Sequence, residues 1–270
     1  MKIGLIYFSP TGNTAKIAEI VKNKLVELHN EVEEFNITNY SERQKKIDLG
    51  QFEAIIFGFP IYYWRAPRVI RDWLLTLKGE GKKSSVFFTY GGVNVGLAHH
   101  NIKNILTNQN FILISTAEFV GKHTYNLAGW KLNESRPNQE DFEIAKDYTV
   151  KTYKRFTDED TGIVDFEPSH ITEEAVDRIE IMLKKEIPIP FREEECSMCQ
   201  TCEESCPVNA MDADNGKPNR STCIRCLRCV VNCPDGVLKI ENMLVQYQLI
   251  KKATKFTDEI LNSRKSKILL

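Results

Sequence analysis

Cysteine is absent from the first 195 residues of this 270-residue chain, and all eight cysteines lie between Cys196 and Cys233. The N-terminal two-thirds therefore folds without help from a disulfide or a thiolate-bound metal and has to bury a core of its own, so two domains are the natural reading of the length. A composition 42% hydrophobic and 27% charged is that of an ordinary globular protein able to do so. Positive charge is not in excess. The 36 Lys and Arg stand against 37 Asp and Glu, a net charge of -1, and the basic footprint of a nucleic-acid binder is missing. No stretch reaches the roughly 18 apolar residues of a membrane helix, and Met1 to Phe8 is too short an apolar run for a signal peptide. These absences predict a cytoplasmic protein that binds neither nucleic acid nor membrane. No GxGxxG fingerprint and no nicotinamide-binding module are visible.

What is present is a repeat. Cys196, Cys199, Cys202 and Cys206, followed by Pro207, form a CxxCxxCxxxCP run, and Cys223, Cys226, Cys229 and Cys233, followed by Pro234, repeat it 27 positions later. Three thiolates at every third residue of a tight loop suit three irons of one cubane, and the fourth iron needs a more distant ligand. Zinc and a disulfide framework are the rival readings. Zinc commonly takes two separated pairs of ligands, and disulfide frameworks belong mainly to small secreted chains. The segment from about Pro188 to Met243 resembles bacterial-type 2[4Fe-4S] ferredoxins. That resemblance implies that the last cysteine of each run crosses over: Cys196, Cys199, Cys202 and Cys233 would hold one [4Fe-4S] cluster, and Cys223, Cys226, Cys229 and Cys206 the other. Such clusters, with no cysteine to spare, also point to a reducing compartment and to an anaerobe.

The preceding chain alternates. Ile3 to Phe8, Val32 to Ile37, Ala54 to Phe57, Ser85 to Thr89 and Phe111 to Phe119 are strand candidates. Helical spacing marks Asn13 to Leu28, Val69 to Leu77 and Leu97 to Leu106, and Asn138 caps a helix to about Phe156. Such alternation predicts an α/β fold, a parallel sheet with helices on both faces. The expected organisation is a domain over 1–156, a linker and helix over 157–187 with Gly162 and Pro168 in the linker, the cysteine domain over 188–243, and a C-terminal amphipathic helix over 244–270.

Between the first strand and the first helix lies Ser9-Pro10-Thr11-Gly12-Asn13-Thr14. Three hydroxyls and the free N–H groups of a helix N-terminus suit a terminal phosphate, hence a mononucleotide. Here the resemblance to flavodoxins enters: their phosphate loop reads Ser/Thr-x-Thr-Gly-x-Thr, matched by Ser9, Thr11, Gly12 and Thr14, with Asn13 at the variable position. Two further loops resemble the flavin-lining loops of that family, one with Pro60, Ile61, Tyr62, Tyr63 and Trp64, the other with Tyr90, Gly91 and Gly92. The resemblance implies FMN, a doubly wound five-stranded flavodoxin-like sheet, and aromatic stacking on the isoalloxazine. Arg65, Arg68 and Arg71 depart from the acidic flavin surroundings usual in the family; Arg65 is expected near the ring, with a solvated helix face as the alternative. Gly121 to Pro137, with His123, Tyr125 and Trp130, is longer than a minimal flavodoxin needs and is placed as a cover for the site.

The whole chain thus resembles the flavodoxin–ferredoxin fusion proteins of anaerobic bacteria and archaea. The resemblance implies an oxidoreductase that passes electrons between two clusters and FMN, with a redox partner protein such as a ferredoxin or reductase. An alternative is an FMN-dependent reductase of a small-molecule or protein acceptor. A carrier needs an exposed flavin edge; an enzyme needs a covered pocket. Arg220, Arg225 and Arg228 make the second cysteine run the basic half, to which an acidic carrier would dock, while Glu193, Glu194, Glu195, Glu203 and Glu204 surround the first.

Overall fold

Strands that are apolar along their whole length, such as Ala54–Pro60, must be covered on both faces, and they sit at the centre of a sheet. The computed structural model describes every residue except Pro168, which the sequence reading places in the linker and which lies outside the described residues. The chain runs β1 (Lys2–Tyr7), α1 (Asn13–Glu27), β2 (Glu31–Asn36), α2 (Tyr40–Gln44), β3 (Ala54–Pro60), α3 (Arg68–Leu74), β4 (Lys83–Tyr90), α4 (Ala98–Asn108), β5 (Ile112–Val120) and α5 (Gln139–Phe156). It continues through α6 (Glu173–Glu186), β6 (Phe191–Arg192), α7 (Thr201–Glu204), β7 (Met211–Asp212), β8 (Lys217–Pro218), α8 (Arg228–Val231), β9 (Leu238–Lys239), α9 (Leu244–Thr254), α10 (Asp258–Asn262) and β10 (Lys267–Leu269). Asn138 caps α5 as the sequence predicts, accepting from the Glu140 and Asp141 amides while Asp141 reaches back to the Asn138 N–H.

The main sheet has the order β10-β5-β4-β3-β1-β2, and β1 to β5 are parallel throughout. The order 2-1-3-4-5 is the flavodoxin-like doubly wound arrangement, with its switch point between β1 and β3, and ligands bind beyond the carboxyl ends of the strands there. Two apolar layers flank the sheet: Ile17, Val21, Leu25 and Tyr148 from α1 and α5 on one face, Ile70, Leu74, Ile102 and Leu106 from α3 and α4 on the other.

The tail differs from the single helix expected over 244–270. Lys255 adopts a left-handed φ of 57° that ends α9, and the Thr257 hydroxyl caps α10. The chain then pairs antiparallel with β5, Ile268 opposite Ala117, as a sixth strand. Ser266 anchors it: its hydroxyl accepts the Val120 N–H at 3.0 Å and donates to Asp141. An open edge of the sheet is thereby closed by the same chain.

The cysteine domain packs directly on the first. A third apolar core joins Ala128, Trp130 and Leu132 to Ile187, Leu227, Ile240, Met243 and Tyr247, so one hydrophobic layer is shared by both domains, α6 and the tail. Arg228 adds polar contacts, donating to the carbonyl of Pro10 at 3.3 Å and to Asn39 Oδ1 at 3.1 Å, and Arg43 donates to the carbonyl of Pro207.

Candidate functional site

A cavity of about 370 Å³ opens above the carboxyl ends of β1, β3 and β4. Ser9, Pro10, Thr11, Asn13 and Thr14 form one of its walls. Gly12 bends the chain between them with a φ of 94°, a left-handed turn that a side chain would strain, and the space where its Cβ would stand is open. The N-cap residue of α1 is Gly12, which has no side chain to cap the helix, so the Asn13 and Thr14 N–H groups stay free at this wall. Ser9 Oγ accepts the Ala15 N–H at 2.9 Å and keeps its own proton to donate; Thr14 Oγ1 lies 2.7 Å from Thr89 Oγ1. Donors without a carboxylate among them are the chemistry that holds a phosphate dianion, and these residues fit the 5′-phosphate of FMN.

The aromatic loop leaves β3 and turns back sharply. The backbones of Tyr62 and Arg65 exchange two hydrogen bonds, at 2.8 and 3.2 Å, around Tyr63 and Trp64, whose φ values of 50° and 67° are both left-handed. Two side-chain-bearing residues held there store strain, which positions the aromatics at the cavity. Pro60, Ile61, Tyr62, Tyr63 and Trp64 all line it, as do Tyr90 and Gly91. Gly92 does not, and the glycines have packing reasons: a Cβ on Gly91 would strike the His123 ring, and one on Gly92 the Asn133 amide. Burial pushes the Tyr62 phenol well above its ordinary value and the Tyr63 and Tyr90 phenols up to about 12, so all three are neutral donors.

Arg65 does not face the cavity. It is 2% exposed and turned toward α6, with Glu173 at 2.6 Å, Asp177 at 2.7 Å and Glu180 at 2.9 Å; Arg71 shares Glu180 at 2.9 Å. Neither a flavin contact nor a solvated face describes it: the arginines following the aromatic triplet hold the helix that leads to the second domain. A carboxylate every three or four residues on α6 carries this clamp, a pattern visible in the sequence but legible only once α6 is known to pack there.

The eight cysteines fall into two groups that cross the repeat. One small cavity is lined by Cys196, Cys199, Cys202 and Cys233. Cys206 lies instead among Cys223, Cys226 and Cys229, close enough for each of those three thiols to feel its charge. None of the eight is in a disulfide. A zinc ion draws four sulfurs to about 3.8 Å from one another, and among the described residues no three His, Cys, Asp or Glu converge to hold one ion. Thiols set around a space rather than a point fit a cubane. The first group is at the surface, with Cys199 exposed and Glu193, Glu194, Glu195, Glu203 and Glu204 exposed around it; in the second, Cys206, Cys223 and Cys226 are buried. Arg225 and Arg228, expected to make a basic docking face, are turned inward. Arg225 is 3% exposed and donates to the carbonyls of Arg220 at 2.7 Å and Lys184 at 2.8 Å, and also to that of Cys223.

The two candidate sites meet. Ile224 and Arg225, between Cys223 and Cys226, line the same cavity as the phosphate loop. Its remaining walls went unassigned in the sequence apart from His123, Tyr125 and Trp130: Leu183 and Glu186 of α6, with Ile187 just beyond it, and Met243, Gln246, Leu249 and Ile250 at and on α9. Trp130 stacks on His123 at 4.5 Å and on Tyr247 at 4.9 Å, and donates its indole N–H to the Met243 carbonyl at 3.0 Å, tying the long loop to α9. Burial pushes the His123 imidazole down to about 4, so it is neutral.

Residues 4–128 match the family model of the flavodoxin domain, and residues 189–212, which hold the first cysteine run, match that of the 4Fe-4S binding domain. Among solved structures, a flavodoxin from the domain Archaea is 18% identical, with a TM-score of 0.43, over 58% of this chain and 99% of its own. Oxidised Flavodoxin 2 from Bacillus cereus is 18% identical, TM-score 0.43, over 57% and 99%. Rubredoxin oxygen:oxidoreductase from the anaerobe Desulfovibrio gigas is 17% identical, TM-score 0.44, over 58% of this chain and 36% of its own. No curated protein matches the chain in sequence. The chain thus carries a flavodoxin domain followed by a 4Fe-4S binding domain, and the strand order independently defines the fold of the first.

Proposed function

We propose that this chain, a flavodoxin domain built against a 4Fe-4S domain, conducts electrons in one direction in space, from a surface [4Fe-4S] site through a buried one to FMN. Cys196, Cys199, Cys202 and Cys233 would hold the surface cluster, and Cys206, Cys223, Cys226 and Cys229 the buried one; Ser9, Thr11, Asn13 and Thr14 would hold the FMN phosphate, with Tyr62, Tyr63, Trp64 and Tyr90 beside the ring. Clusters of this kind exchange one electron at a time and FMN one or two, so the pair converts single electrons into pairs. The observation that carries the reading is that the loop between Cys223 and Cys226 is itself a wall of the cavity bounded by the phosphate loop. Partners meet the surface site first, and its glutamates favour a redox protein with a basic docking patch rather than an acidic one. Anaerobically purified protein should contain about eight irons and one FMN per chain. Four irons, or stoichiometric zinc, would refute the two-cluster assignment, and a protein that binds no FMN would refute the flavin site.

A further inference from the structure

The cavity, about 370 Å³, is walled by residues of both domains. A flavin presented for electron exchange with a protein carrier needs an uncovered edge, whereas here α6, the Cys223 to Cys226 loop and α9 stand over the three flavin-lining loops. Most of that cover is apolar: Leu183, Ile187, Met243, Leu249 and Ile250. Within it sit polar atoms with no partner. Arg225 Nε is buried and unbonded, and the buried Tyr63 hydroxyl has only the Tyr125 phenol within reach, although both residues line the cavity. They come from different domains yet are near enough for Arg225 to act on the Tyr63 phenol, and Tyr125 is close to both. Burying a guanidinium N–H without an acceptor is costly, and a ligand oxygen placed between it and the phenols would remove that cost.

Resting on the proposal that FMN occupies the inner part of this cavity, we infer that its outer part is a substrate chamber for a small planar α,β-unsaturated carbonyl compound, whose carbonyl oxygen is held by Tyr63, Arg225 and Tyr125. Two electrons and two protons convert the C=C–C=O unit to CH–CH–C=O: the conjugated double bond is lost and two C–H bonds form. The electrons come from an external one-electron donor protein by way of the cysteine groups, and the protons come from solvent. Negative charge gathers on the carbonyl oxygen while the new bond to the β-carbon forms, so donors fixed around that oxygen act where charge develops. Burial keeps both tyrosines protonated for this purpose. The apolar walls favour a hydrocarbon body over a sugar or a nucleotide.

The test uses the purified, FMN-loaded, iron-replete protein. Titration of the oxidised form with 4-chlorophenol, whose ring and oxygen imitate the enolate, should produce a long-wavelength charge-transfer absorption. Tyr63→Phe should weaken that binding, read per FMN bound, about tenfold, the value of one lost hydrogen bond. Leu249→Trp, altered at a 60% exposed position on the rim, should weaken it too without touching FMN or iron. Protein reduced with dithionite and freed of excess reductant should convert 2-cyclohexen-1-one to cyclohexanone, up to two per chain, because two one-electron clusters and a two-electron FMN store four electrons. FMN-loaded protein that shows neither the absorption band nor the conversion overturns this inference alone. A protein that binds no FMN overturns it together with the proposed function.

Discussion

Replacing Arg65 by methionine tests the largest departure from the sequence reading. The side chain is buried against three carboxylates, and removing one partner of a buried pair typically costs about 3 to 5 kcal/mol. Here the loss is smaller. Glu173 and Asp177 are 40% and 46% exposed at the side chain, so water takes over much of their solvation, and Glu180 keeps Arg71 at 2.9 Å. About 2 kcal/mol remains, equivalent to a melting shift of about 4 to 8 °C. The methionine keeps most of the volume, so the change is electrostatic. Because α6 carries Leu183 and Glu186 of the cavity wall, its loosening should also weaken FMN binding. The flavin potential should stay within a few millivolts, since the guanidinium points away from the cavity. The assay is paired: thermal unfolding followed by circular dichroism, and anaerobic potentiometry of the flavin. An unaltered melting temperature with a flavin potential lowered by about 30 mV or more, the equivalent of about 1.4 kcal/mol for two electrons, would place Arg65 at the ring and refute the clamp. The Arg65 guanidinium also holds the Asp177 carboxyl below its ordinary value. A lowered folded-state carboxyl contributes stability above the unfolded value that is lost as the pH falls through the folded one, so the wild type should lose this advantage over Arg65→Met below about pH 4.

Cys206→Ala should abolish the electron paramagnetic resonance signal of the buried cluster, leave that of the surface cluster, and stop flavin reduction by a one-electron donor; loss of the surface signal alone would show that the ligands do not cross. His123, held neutral near a value of about 4, makes the folded state bind fewer protons than the unfolded one between pH 6.5 and 4, so stability should fall by about 3 kcal/mol as the pH drops through that window. His123→Phe should flatten the pH dependence of the melting temperature there, and an identical slope would refute the assignment. Neutralising the exposed Glu193, Glu194 and Glu195 together as glutamines should slow reduction by a basic donor at low salt and make the rate less dependent on ionic strength. A variant with the wild-type salt dependence would move the docking face elsewhere.

Much of this protein is local in origin and so legible in one dimension. The cysteine spacing marks the 4Fe-4S binding domain, matched over residues 189–212, because thiols three residues apart lie on one turn of chain. The loop from Ser9 to Thr14 at the cavity is legible because Ser9, Thr11, Gly12 and Thr14 lie within six residues between a strand and a helix. The α/β alternation and the Asn138 cap are periodic or nearest-neighbour effects of the same kind. What the tertiary structure decided depends on surfaces meeting across long separations. The place of Arg65 is not legible because its partners lie 108 to 115 residues away on α6, and a guanidinium takes whichever carboxylates packing delivers. The inward turn of Arg225 and Arg228, which leaves the acidic cluster site outermost, follows from how the two domains dock. The tail became α9, α10 and an edge strand because β5 offered unpaired backbone groups, a condition that no pattern within 244–270 encodes. The roof over the cavity is likewise assembled from α6, α9 and the Cys223 loop, apolar surfaces whose common partner exists only in the folded chain.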